Sequence, residues 1–201
     1  ARTPEEFKMS FRSASLIALS IAAAGAIAPA SRAAVISFND LGPSTGGTHM
    51  PDQYSGLRWA TSNWHSMTLA SNPADTFLAL SGTSTTVLTV LNGPDLYLDG
   101  ADFWSRRGAD ANGDFCFVLY HDGVTVYNGR TATNGRQRFS ATHSTFVPDY
   151  TGPIDGFAIA FDNDDWDHLA MDNLNIRFIP SPGAAALAAL RSILSIRRRA
   201  R

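Results

Sequence analysis

Between Asp162 and His168 the chain places Asp162, Asp164, Asp165 and Asp167 within six residues, with Trp166 among them. Carboxylates this close repel one another unless water or a cation screens them. The run therefore suits a solvated loop, a bound cation, or a sugar whose hydroxyls meet Asp164 and Asp165 while its ring stacks on Trp166. An Asp pair from 162–167 could also serve as acid and base in a polysaccharide hydrolase, although the sequence shows no spacing across a cleft. Asp110-Ala111-Asn112-Gly113-Asp114 alternates oxygen ligands like the opening of a calcium loop. Phe115 and His121 stand where that loop needs Gly and Glu, so a polar turn explains the run better. Tyr54, Trp59, Trp64, Trp104 and Trp166 are the aromatic candidates for stacking on a sugar. Trp59 and Trp104 fall in strand-like runs and are expected in the core, whereas Trp64 and Trp166 fall between strands and are the expected ligand-facing pair. His49, His65, His121, His143 and His168 show no HxH or HExxH spacing, so a zinc site would need three of them to converge from separate loops. Neither GxSxG nor GxxxxGK[ST] occurs. Cys116 is the only cysteine, which excludes an internal disulfide and a CxxC site; it is expected to pack as a small apolar residue.

The elements that would position these residues read as strands. No sustained 3.6-residue period appears between 35 and 179; short alternating or β-rich runs are separated by turn residues. The expected strands are Val35–Asn39, Gly56–Ala60, Thr76–Leu80, Thr86–Leu91, Leu96–Trp104, Asp114–His121, Thr125–Asn128, Arg136–Ala141, Ile154–Phe161 and Leu169–Phe178. Within one of them Phe115, Phe117 and Leu119 share a face, and Cys116, Val118 and Tyr120 share the other. Asp122-Gly123 marks a hairpin tip, and Asn92-Gly93 and Asn134-Gly135 mark further turns. The expectation is an all-β domain, a β-sandwich over residues 34–179.

Charge divides the chain at the same places. The 201 residues sum to −2, but residues 34–179 hold 16 Asp, seven Arg, and neither Lys nor Glu, a net −9. A Lys-free acidic domain does not track phosphates, so nucleic acid is excluded as a partner. A Glu acid, base or nucleophile is excluded as well.

The two ends read as addresses. Lys8 and Arg12 precede the apolar run Ala14–Ala28, and small residues follow at Ala28-Pro29-Ala30 and Ser31-Arg32-Ala33. This is the layout of a secretory signal peptide over residues 1–33, with cleavage after Ala30 or Ala33. It is shorter than the ~20 residues of a membrane span. Residues 180–201 read Pro180-Ser181-Pro182-Gly183, an Ala/Leu-rich helix, then Arg197-Arg198-Arg199-Ala200-Arg201. That order resembles the PEP-CTERM sorting signal of Gram-negative exosortase substrates, although Ser181 stands where Glu is usual and Arg191 interrupts the apolar helix. The resemblance implies export through the Sec machinery, a transient inner-membrane tether formed by the C-terminal helix, processing by an exosortase-type enzyme, and residence in the cell envelope or matrix.

The ends of the β domain carry a second resemblance. Ile36-Ser37-Phe38-Asn39-Asp40-Leu41 and Leu169-Ala170-Met171-Asp172-Asn173-Leu174 resemble the first and last strands of galactose-binding-like jelly rolls, as found in carbohydrate-binding modules. The resemblance implies a jelly-roll sandwich whose end strands lie side by side. It also implies a structural Ca²⁺ held by Asn39, Asp40 and Asp172; oxygen donors suit that ion. Asn39 stands where Glu is frequent, which removes one charge, and the alternative is that these groups bond to backbone. The expected role is non-enzymatic: an envelope or matrix protein, stabilised by calcium and binding extracellular polysaccharide.

Overall fold

The computed structural model describes residues 32–80, 85–90, 95–107, 112–161 and 169–180, with the backbone alone at 85–90. Among them the chain forms two stacked antiparallel sheets. The first contains β1 (Arg32–Ile36), β2 (Thr48–His49), β5 (Trp64–Leu69), β6 (Asn72–Leu80), β8 (Leu96–Ser105), β12 (Ser144–Phe146) and β14 (Leu169–Phe178). Its order is β12-β8-β14-β6-β5-β2, with β1 also paired to β14. The second contains β3 (Gln53–Tyr54), β4 (Leu57–Arg58), β7 (Thr85–Val90), β9 (Gly113–His121), β10 (Val124–Asn128), β11 (Arg136–Phe139) and β13 (Gly156–Ala160). Its order is β10-β9-β13-β7-β4-β3, with β11 also paired to β9. The all-β sandwich expected from the sequence is what forms.

Aromatic side chains fill the space between the sheets. Phe103 of the first sheet meets Phe115 and Phe117 of the second, with ring centroids at 4.7 and 5.9 Å. Phe115, Phe117 and Leu119 lie in this core as their alternation predicts. Cys116 is buried outside it, its thiol 3.6 Å from the Ala160 carbonyl, and burial pushes its pKa up. At the β9–β10 hairpin Asp122 and Gly123 both take positive φ, 50° and 73°, as a two-residue turn of this twist requires.

Ten expected strands have counterparts; β2, β3, β5 and β12 were not expected. The missed β5 buries Trp64, Ser66 and Thr68 on alternate positions, and two hydroxyl residues on an inward face conceal a strand from a hydrophobic pattern. The expected Val35–Asn39 is displaced. The strand runs Arg32–Ile36, then Phe38 turns left-handed (φ 57°) and Asn39–Leu41 forms a 3-10 turn. The boundary placed at residue 34 therefore cuts β1, whose Arg32 and Ala33 pair with Phe178 and Arg177.

A bulge explains how β8 keeps its apolar residues inside. Leu96 and Leu98 face the core, but so do Ala101 and Phe103, which simple alternation would put on the opposite face. Gly100 (φ +114°) absorbs the change, and β14 shifts register opposite it between Asp172 and Ile176. A Cβ at Gly100 would lie 2.5 Å from the Phe146 carbonyl oxygen, so the position admits no side chain.

No helix among the described residues is long and apolar enough to cross a membrane. The expected signal helix and C-terminal helix lie outside the described residues.

Candidate functional site

Local chain geometry builds a cleft beside β1. The strand pairs with the last strand, from Arg32 opposite Phe178 to Ile36 opposite Leu174, so the expected adjacency of the end strands holds. Beyond Ile36 the left-handed Phe38 drops its ring into the core against Tyr54 (5.8 Å) and Trp59 (5.6 Å). That anchor swings the 3-10 turn toward the β3–β4 hairpin of the other sheet. Ser55 and Gly56, both at positive φ, make the hairpin tight. Phe178 packs on Gly56, where a Cβ would stand 3.1 Å from its ring. Between these parts lies a cleft of about 400 Å³, lined by Arg32, Ile36, Ser37, Asp40, Tyr54 and Ser55, with Phe178 closing one wall. That volume falls in the range of about 300–1,000 Å³ typical of small-molecule sites.

Its polar groups are held in place. The Tyr54 hydroxyl donates to Asp40 Oδ1 in a very short hydrogen bond. Burial, then the bond to Asp40 and its charge, push the phenol well above its usual pKa, so Tyr54 stays protonated. The Trp59 indole donates to the Tyr54 carbonyl at 3.1 Å, fixing the hairpin from beneath. A carboxylate, a guanidinium, two serine hydroxyls and aromatic faces in one concavity can hydrogen-bond adjacent hydroxyls while covering an apolar ring face.

Asn39, Asp40 and Asp172 all come to the junction where β1 ends and β6 takes its place beside β14. Each is bonded within the protein. Asn39 Oδ1 accepts the Thr76 N–H at 2.7 Å, Asp40 accepts from Tyr54, and Asp172 Oδ1 accepts the Asn173 N–H at 2.7 Å. No three His, Cys, Asp or Glu side chains among the described residues are placed to hold a metal ion. Asp172 is 7% exposed. Burial first, then the charges of Asp75 and Asp102, push its carboxyl up to about 6, partly offset by the Asn173 N–H. Asp102, its cross-strand partner, accepts from the Thr145 hydroxyl (2.5 Å) and the Asn173 amide (2.9 Å).

The expected ligand-facing Trp64 is corrected by its position. It opens β5, is fully buried in the main core, and meets Trp59 edge-on at 6.1 Å. Trp59 is core, as expected. Trp104 is buried too, but on the outer face of the first sheet, with Phe77, Ala79 and Ala170 beneath a stacked His143 ring at 3.7 Å. Trp166, Asp164, Asp165 and the whole 162–167 run lie outside the described residues, as do Ser181, Pro182, Arg197, Arg198 and Arg199. Pro180 is described and half-buried just after β14; Ala33 lies within β1. The cleft residues Arg32, Ser37, Ser55 and Phe178 were missed. Arg32 falls within the expected signal peptide, and nothing in their spacing joins residues 32–37 to 54–55 and 178.

No family model and no curated protein matches the chain. Among solved structures, the chain is similar to the CBM22-1 xylan-binding domain of Paenibacillus barcinonensis Xyn10C at 14% identity and a TM-score of 0.44, covering 76% of this chain and 97% of that one. It is similar to a family 29 carbohydrate binding module at 11% identity and a TM-score of 0.40, covering 76% and 91%. A variant of the family 29 module CBM29-2 complexed with cellulohexaose matches at 13% and 0.40, covering 75% and 93%. At this identity and TM-score these likenesses assign neither ligand nor function to this chain.

Proposed function

We propose that this chain is a secreted, non-enzymatic glycan-binding protein of the bacterial envelope or extracellular matrix. The β1–β3 cleft of its jelly-roll-type sandwich would be the glycan site. The observation that carries the reading is the fixed Asp40–Tyr54 pair within a cleft that also presents Arg32, Ser37, Ser55 and the Phe178 ring. Secretion rests on the signal-like residues 1–33, and exosortase-type sorting on Pro180–Arg201. Cleavage after Ala30 would keep Arg32 in the cleft and leave β1 whole, whereas cleavage after Ala33 removes Arg32. N-terminal mass spectrometry of the secreted protein is expected to find residue 31 first. A structural Ca²⁺ near Asn39, Asp40 and Asp172 belongs to the proposal as its finer part.

A glycan array followed by calorimetry tests the ligand. Binding to at least one polysaccharide is expected. Asp40→Asn and Tyr54→Phe should each weaken it by about 10- to 150-fold, as losing a charge-assisted hydrogen bond of about 1.5–3 kcal/mol implies. No binding to any glycan would leave a purely structural role. Binding indifferent to both substitutions would move the site elsewhere.

A further inference from the structure

The far edge of the first sheet carries a cluster unrelated to the cleft. His49 of β2 and His65 of β5 are direct cross-strand partners, and their rings lie 4.2 Å apart at 41°. Both are reachable from solvent, His49 exposed and His65 half-buried. The turn before β5 sets their tautomers. His49 Nδ1–H donates to the Thr61 carbonyl at 2.7 Å, because a carbonyl can only accept. The opposite nitrogen, Nε2, then carries the lone pair. One nitrogen of His65 is likewise bonded to the Asn63 backbone. A histidine with one ring nitrogen bonded to a backbone carbonyl is the arrangement that orients imidazoles toward a metal.

The neighbouring positions supply a softer donor. Met67 lies two residues beyond His65, on the same face of β5, and half-buried. Gly47, two residues before His49, lies against both side chains: a Cβ there would stand 3.5 Å from Met67 Cγ, 3.6 Å from His65 Cβ and 3.8 Å from Met67 Sδ. The thioether and the His65 stem thus border one spot. The nearby Arg106 charge opposes a cation here. Charge alone would not choose this place; imidazole and thioether chemistry would.

We propose that His49 and His65 form a surface site for a transition-metal ion, copper first, with Met67 as a third, softer donor. Imidazole suits copper, nickel and zinc, the divalent series peaks at copper, and a thioether favours the reduced copper ion. With ring centroids 4.2 Å apart, small adjustments of the Cβ–Cγ torsions, which are broad for histidine, would let both rings reach one ion.

The test is titration of the full chain, without a histidine tag, with Cu²⁺ by calorimetry, followed by electron paramagnetic resonance. One Cu²⁺ per chain is expected, with hyperfine coupling to two imidazole nitrogens. His49→Gln and His65→Gln should each weaken binding by about tenfold or more, while His121→Gln leaves it unchanged and circular dichroism shows all variants folded. Absence of Cu²⁺ binding overturns the proposal. So does binding that survives the double His49→Gln/His65→Gln substitution in a folded chain.

Discussion

Trp64→Ala is expected to destabilise the protein by about 3–5 kcal/mol. The indole is fully buried between the sheets, packed edge-on against Trp59 and opposite Leu80. Its backbone is also a joint, since its carbonyl accepts the Met50 N–H and its own N–H reaches the Ala60 carbonyl. Truncation leaves a cavity that two sheets meeting from opposite sides cannot close. Trp64→Phe should cost clearly less, because the buried Trp64 Nε1 has no hydrogen-bond partner among the described residues and phenylalanine removes that desolvated donor. Urea denaturation measures both. An alanine variant of near-normal stability that loses glycan binding would restore Trp64 as a ligand-facing residue.

Asp172 carries the second large effect. An isolated aspartate titrates near 3.8, and burial raises the Asp172 carboxyl to about 6. Well below 3.8 both the folded and the unfolded chain hold the proton, and the full stability is present. As pH rises from about 4 to about 6 the unfolded chain releases it and the folded chain retains it. Stability therefore falls across that window, by on the order of 3 kcal/mol, and stays lower above it. Asp172→Asn should be more stable than the parent by a similar amount at pH 7 and equal to it at about pH 3. Denaturation at both pH values checks this. A bound calcium ion would reverse the sign, because a cation beside Asp172 favours the carboxylate. EDTA would then lower the melting temperature at pH 7. An unchanged melting temperature with EDTA removes structural calcium from the account.

The fold was legible where alternation and turn chemistry agree. Phe115-Cys116-Phe117 announces a strand with one apolar face, and Asp122-Gly123 announces its hairpin. It was illegible where the inward face is polar, as at Ser66 and Thr68 of β5, or where a bulge changes phase, as at Gly100. The site was half legible. Asp40 stands out beside Asn39 after a β-rich run, yet its partner Tyr54 belongs to a two-residue strand with no pattern of its own. The cleft is a property of tertiary packing, made when the left-handed Phe38 carries the turn across to the other sheet.

Chemical-shift mapping on isotope-labelled protein, with an oligosaccharide selected from the array, tests the glycan site most directly. The account predicts saturable shifts centred on the amides of Ser37, Asp40, Tyr54 and Ser55, with at least about tenfold more oligosaccharide needed to saturate Asp40→Asn. Shifts confined to another surface, such as the Trp104–His143 face, would contradict it.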